Sequence, residues 1–200
     1  MTETPNHRKR FLAPLLIATV LSLMSCSGPI FRVKPAIDLP ALPPNVRTAS
    51  AAGLILRTSP LLTDEESQDL FEANLPLGGV LPIRMELEYE TGGVPVELKR
   101  AKIHLRDGAG KEWKLLSSKK AVARILKAND IYLYNPHSRK QFEKELGEYE
   151  LDLKTPLTAS ERRRQGFLFF QSPGNEPLRS PAGLVLSITG LAQPLELTLN

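Results

Sequence analysis

The stretch LPIRMELEYE, residues 81–90, decides the fold class. Ile83, Met85, Leu87 and Tyr89 alternate with Arg84, Glu86, Glu88 and Glu90, a period of two that predicts a strand with one face buried and one wet. The charged positions place that second face in solvent. Beyond the turn TGG at 91–93, Val94, Val96 and Leu98 continue the alternation on even numbers, whereas Ala101, Ile103 and Leu105 carry it on odd ones. The phase slips near Lys99 and Arg100, which predicts a bulge or a crossing between sheets. DGAGK at 107–111 then supplies Asp-Gly turn chemistry before Trp113 and Leu115, a hairpin signal.

Upstream, GLILRT at 53–58 reads as a short strand, and Thr63 stands three residues before Glu66, the capping-box spacing. With acidic residues in its first turn, where they favour the helix dipole, a short helix is expected over 64–71. Downstream, SSKKAVARILKA at 117–128 carries Ala121, Val122, Ile125 and Leu126 at helical spacing, with Ser117 or Ser118 as cap. Ser138 and Gln141 match a second capping box before Phe142 and Leu146. Residues 117–147 therefore read as a helical insertion that covers one edge or end of a sheet. Four strands follow, EYELDL, GFLFFQ, GLVLSIT and PLELTLN, separated by loops rich in Pro, Gly, Ser and Asn. Short strands punctuated by turns predict an antiparallel sandwich. Its expected core contains Ile83, Met85, Leu87, Ile103, Leu105, Phe167, Phe169, Leu186 and Leu197, with Leu168 and Phe170 partly exposed.

The N-terminus carries a different message. Arg8, Lys9 and Arg10 precede the apolar run Phe11–Met24, too short to span a bilayer but suited to the hydrophobic region of an export signal. The run ends at Cys26, the single cysteine of the chain. One thiol closes no internal disulfide and completes no zinc site. Leu23, Met24, Ser25 and Cys26 resemble the lipobox of bacterial lipoproteins, with Met24 the least usual member. That resemblance implies cleavage after Ser25 and a diacylglyceryl group on the Cys26 sulfur. Residues 1–25 are then a signal peptide for the general secretory route, with the twin-arginine route as the alternative because Arg8-Lys9-Arg10-Phe11-Leu12 loosely resembles its signal. A lipid-anchored location in the bacterial cell envelope follows, and Ser27 in place of an Asp points to the outer membrane facing the periplasm.

Loss of the signal removes Arg8, Lys9, Arg10 and Glu3, leaving 23 Lys and Arg against 21 Asp and Glu. That balance is too slight to argue for nucleic acid as a partner. Residues 26–52 form a lipidated, proline-rich tether, whose span 27–50 reaches roughly 25 Å if coiled or 75 Å if extended. Docking of this segment along the domain through Ile30, Phe31 and Ile37 is the alternative. The folded domain is expected over 53–200.

Across that range the succession LPIRMELEYETGGVPVELKRAKIHLRDGAGKEW, a helical insertion, TASERRRQGFLFF and two last strands is similar to the immunoglobulin-like domains of bacterial lipoproteins. The resemblance implies a mainly β, immunoglobulin-like sandwich and carries no catalytic motif. Tyr89-Glu90-Thr91 stands where such domains often have Asn, and the insertion is longer than a plain sandwich needs.

The candidate sites are sparse. His104 occupies a polar strand position, and His137 could pair with Asp130, although no Ser or Cys sits in a nucleophile turn near them. Glu86, Glu88 and Glu90 have the spacing of paired carboxylates, roughly 7 Å apart by strand rise, and equally that of a solvated acidic face. On the first helix of the insertion, Lys120, Arg124 and Lys127 share a basic face. Arg162, Arg163 and Arg164 concentrate charge before an apolar strand, and Tyr132 and Tyr134 cluster near the insertion. These five residues are the candidate contacts for an envelope protein partner. No catalytic residue, metal or cofactor is assigned. The reading is a non-catalytic binding or scaffolding module, with a periplasmic hydrolase as the alternative.

Overall fold

The computed structural model describes residues 32–42, 46–90, 95–129 and 136–200. The signal segment and Cys26 lie outside them, as do Ile30, Phe31, Val94, Asp130, Tyr132 and Tyr134. Eight strands are present among the described residues: β1 (Arg47–Ala51), β2 (Leu54–Pro60), β3 (Val80–Tyr89), β4 (Lys102–Arg106), β5 (Glu112–Leu116), β6 (Arg163–Gln171), β7 (Val185–Thr189) and β8 (Leu195–Thr198). Three helices accompany them, α1 (Asp64–Phe71), α2 (Ser118–Ala128) and α3 (Pro136–Glu148). Every ladder is antiparallel, and the strands join in the single order β1-β2-β3-β6-β5-β4-β7-β8.

The protein is thus mainly β, and its sheet is nearly closed. β1 and β8 lie side by side at the seam, yet no ladder joins them among the described residues. β5 is the continuous link where two separate layers would part. Its first half pairs with β4 through Leu105 opposite Trp113, and its second half pairs with β6 through Leu116 opposite Phe169.

The alternation read in β3 decides what lies inside. Leu81, Ile83, Met85, Leu87 and Tyr89 face an inner core with Leu54 and Leu56 of β2, Leu105, Trp113, Leu168, Phe170, Leu186 and Ile188. Ile103 and Leu197, expected in the core, are partly buried against it. A second core lies outside the sheet, where Val80, Leu116, Phe167 and Phe169 meet Phe71 of α1, Val122, Ile125 and Leu126 of α2, and Phe142 and Leu146 of α3. Leu168 and Phe170 are therefore buried, contrary to the expectation of partial exposure, because β6 is covered on both faces. The helices cover an outer face of the central strands β3, β6 and β5, not the edge or end expected of the insertion.

Local rules explain most of the elements. At the start of α1, Glu66 N donates to Thr63 Oγ1 at 3.2 Å and Thr63 N donates to Glu66 Oε2 at 3.1 Å, the reciprocal pair of a capping box. α2 begins differently: Ser117 makes no side-chain cap, and Ser118 N instead donates to Glu150 Oε2 across the fold at 3.1 Å. α3 starts at Pro136, so Ser138 and Gln141 lie within the helix and the expected capping box is not its start. Proline is favoured there, since its missing N–H costs nothing in the first turn. Asp107 organises the predicted hairpin by accepting from Ala109 N at 3.0 Å and Lys111 N at 2.9 Å.

Two other expectations change and one is narrowed. β1 lies within residues assigned to the tether, so the sheet begins before Gly53. Of the two readings of the phase slip, the bulge gives way to the crossing: a 3-10 turn at Leu98–Arg100 stands between β3 and β4, which are not neighbours in the sheet order. Residues 148–153 form no ladder strand. Instead Phe167 N donates to Tyr149 O at 2.6 Å and Leu151 N donates to Phe167 O at 3.0 Å, a parallel bridge along β6.

That bridge brings backbone against backbone at Gly166, where a Cβ would stand 2.6 Å from Leu151 Cα. Only glycine fits so close an approach. We expect Gly166→Ala to destabilise the fold by about 1–3 kcal/mol, the cost of overpacking a filled site, as a fall in the urea midpoint. An unchanged midpoint would contradict this packing.

Candidate functional site

The outer surface of β2, β3 and β6 carries the acidic residues singled out in the sequence. Arg57 of β2 sits opposite Glu86 in register, and its Nη1 donates to Glu86 Oε1 at 2.9 Å and to Glu88 Oε2 at 2.6 Å. Arg163 of β6 approaches the same two carboxylates at 3.7 and 3.6 Å. Two cations therefore answer two anions on one sheet face. The hydrogen bond from Arg57 is the main cause that holds the Glu88 carboxyl below its ordinary range.

A general acid needs the opposite displacement. Glu112 is lowered by its hydrogen bond to His104 Nδ1 at 2.9 Å, and Asp152 by hydrogen bonds from the Thr155 hydroxyl and Lys154 N. Glu90 lies at the exposed end of the strand, where its N–H donates to Gly53 O. The spacing of Glu86 and Glu88 is that of a charge-compensated strand face. His104 is partly exposed beside Glu112, on the polar side where the sequence put it. His137 falls in the first turn of α3. No group of three metal-ligating side chains is found among the described residues.

The arginines of residues 162–164 do three different things. Arg163 belongs to the ion-pair face. Arg162 O accepts from Tyr89 N at 2.7 Å. Arg164 points the other way, into the end of the inner core, and is 8% exposed. Its Nε and Nη2 donate to Glu161 Oε1 at 2.9 and 2.7 Å, and its Nη1 donates to the carbonyls of Asp152 and Thr155 at 2.9 and 2.8 Å. This guanidinium holds the 152–161 loop closed, and its donors are spent within the chain. Arg124 of α2 is likewise engaged, donating to Gly78 O at 3.0 Å and to Asn175 Oδ1 at 2.7 Å. The basic face of that helix is left with Lys120 and Lys127 exposed.

The segment after the signal lies over the outer core, as the docking alternative has it. Residues 32–42 run across it, with Val33, Ala36 and Leu39 half-buried against the aromatic cluster. Lys34 N donates to Leu70 O at 3.0 Å, and the Tyr149 hydroxyl donates to Lys34 O at 2.6 Å. Tyr149 is itself held by Phe71 and Phe167, edge-on at 5.2 and 5.7 Å. Burial, followed by the charge of Asp38, pushes its phenol above the ordinary value, so it stays a donor throughout the neutral range. Docking of this segment was the alternative considered for the tether, but Ile37 is not its anchor: that side chain is 91% exposed.

Beneath this cover Arg84 is 5% exposed, donates from Nη2 to Gln165 Oε1 at 3.2 Å, and has no partner for Nε among the described residues. Desolvation lowers its pKa. The wet face expected for β3 is thus closed at Arg84 and open only towards Glu90.

Among the described residues the inner core is filled by side chains. A closed eight-stranded sheet encloses either packed side chains or one small molecule; in this nearly closed one the void between Met85, Leu87, Leu98 and Ile188 measures about 10 Å³. Larger clefts are superficial, including one of about 380 Å³ near Arg100 and Gly190, and one of about 360 Å³ beside Asp107 and Arg179. Compared with known proteins, the chain matches no family model, no curated protein and no solved structure.

Two outcomes follow from the charge geometry. Arg164→Ala removes a buried side chain and the donors to Glu161 and to the carbonyls of Asp152, Thr155 and Pro156, and is expected to cost about 1–3 kcal/mol, whereas Arg163→Ala, on the solvent side, costs less than about 1 kcal/mol; urea unfolding of the pair checks the contrast. For the ion-pair face, the folded Glu88 value is depressed, so the unfolded chain binds the proton more tightly. Its contribution is present above the ordinary glutamate value and is lost as pH falls through the lowered one. Arg57→Gln should therefore flatten the acid limb of a stability–pH profile, and an unaltered limb would contradict the assignment.

Proposed function

We propose that this chain is a lipid-anchored protein of the bacterial cell envelope, held through acylated Cys26, whose domain acts as a non-catalytic binding or scaffolding module. The observation that carries the second half is the packed interior. A sheet that closes on side chains, with Glu86 and Glu88 neutralised by Arg57 and Arg163, offers its outer surface and loops for function rather than an enclosed reaction site. In this reading Tyr132 and Tyr134, outside the described residues, and the exposed Arg162 and Arg163 are contacts for an envelope protein, while Arg164 serves the fold. The immunoglobulin-like resemblance enters as a finer proposal, with β1-β2-β3-β6 and β4-β7-β8 as the two faces and β5 shared between them.

The first half rests on Leu23, Met24, Ser25 and Cys26. Among the described residues no helix is long and apolar enough to cross a membrane, so attachment in this reading comes from the lipid, and two or more acyl chains suffice for it. Cys26→Ser is expected to move the protein from the detergent phase to the aqueous phase and to leave an uncleaved precursor. A mature N-terminus at any residue other than Cys26, read by mass spectrometry, overturns the anchor.

A further inference from the structure

We propose that the docked segment 32–42 is an orienting strap: it shortens the membrane leash so that the helical face, with Ile37 at its tip, lies against the bilayer that holds Cys26. The inference rests on the lipid-anchor reading and adds which surface meets the lipid.

The argument is one of lengths. Val33 is fixed to the outer core, and six residues, Ser27 to Arg32, separate it from Cys26. At about 3.5 Å per residue they span at most about 25 Å. Were the strap free, the leash would run to β1 and reach about 70 Å. A domain of this size has a radius of gyration near 15 Å and hence a diameter of about 40 Å. Turning its far side to the membrane would require the leash to travel roughly 60 Å around half the girth of such a sphere. The long leash permits every orientation. The short one cannot reach round to the far side and so keeps the strap in the half of the domain nearer the membrane.

The strap's outward side suits that position. Ile37 is 91% exposed although the neighbouring apolar residues Val33, Ala36 and Leu39 are packed. Arg32 and Lys34 are exposed beside it with Asp38, and α1 with its cap, to which the strap is joined through Lys34 and Leu70, exposes Asp64, Glu65, Glu66, Asp69 and Glu72, so the apolar tip and the leash length rather than charge single out this side. An exposed apolar tip fits the headgroup boundary, where its side chain leaves water for the acyl edge. β8, with exposed Glu196, lies across the sheet order from β3 and β6 and so faces away.

Because Cys26 is the single cysteine and its sulfur is acylated in this reading, a cysteine introduced elsewhere is the one free thiol. Full-length mature protein carrying Ile37→Cys or Glu196→Cys, each labelled with a fluorophore, would be incorporated into phosphatidylethanolamine–phosphatidylglycerol vesicles that contain a nitroxide-labelled lipid. Fluorescence is expected to be lost at position 37 and kept at 196. Adding Val33→Asp with Tyr149→Phe, which frees the strap but keeps the aromatic packing of residue 149, should abolish that difference while the protein still floats with the vesicles.

Intact mass and flotation of the same samples separate the two ways of failing. Acylated, floating protein quenched equally at both positions overturns the strap alone, as does a difference that survives the double substitution. Protein without acyl chains that does not float removes the anchor, and the orientation with it.

Discussion

Burial of β6 on both faces is the constraint on which the rest depends. Leu168 and Phe170 fill the inner core, while Phe167 and Phe169 project outward among Phe71 and Tyr149. A strand with aromatic side chains on each side must be covered twice. The curved sheet supplies one cover, and α1, α2, α3 and the 32–42 strap supply the other. The ring contacts between Phe71, Tyr149 and Phe167, at 5.2 to 5.7 Å and edge-on, add about 0.5–1.5 kcal/mol each beyond area burial. The strap is thereby part of the fold, because the cluster it caps would otherwise meet water.

The same double cover separates what was legible in the sequence from what was not. The strand at 80–89 was readable because one of its faces is charged, which sets the phase. The helix at 64–71 was readable because its cap is local, Thr63 answering Glu66 three residues away. By contrast, GFLFFQ is apolar without a break, so periodicity alone could not say that both faces are buried. β1, with sequence RTASA, has no large apolar residue and pairs with β2 through its backbone, so composition assigned it to the tether. Residues 148–153 alternate well enough for a strand, but Gly166 lets only a short stretch, Tyr149 to Leu151, bridge to β6 before the chain turns away.

The charged residues show a similar division. Spacing put Glu86 and Glu88 on one face, and the structure agrees. What spacing lacked was Arg57, nearly thirty residues earlier, which converts a carboxylate pair into half of a neutral network. Arg162 to Arg164 looked like one basic patch, yet strand alternation sends Arg163 and Arg164 to opposite faces. Long-range partners of this kind are set by register, which no local pattern encodes. The Lys34 contact with Leu70 and Tyr149 is of that kind too, and it changes the N-terminal segment from a spacer into a joint with a defined place.

That joint is the central claim, and the amide of Lys34 reports on it directly. Its N–H donates to Leu70 O at 3.0 Å, so native-state hydrogen exchange should find it protected, with the protection lost when Val33→Asp and Tyr149→Phe are combined. Exchange of the Lys34 amide at the rate of an unstructured peptide in the unsubstituted protein would contradict the account.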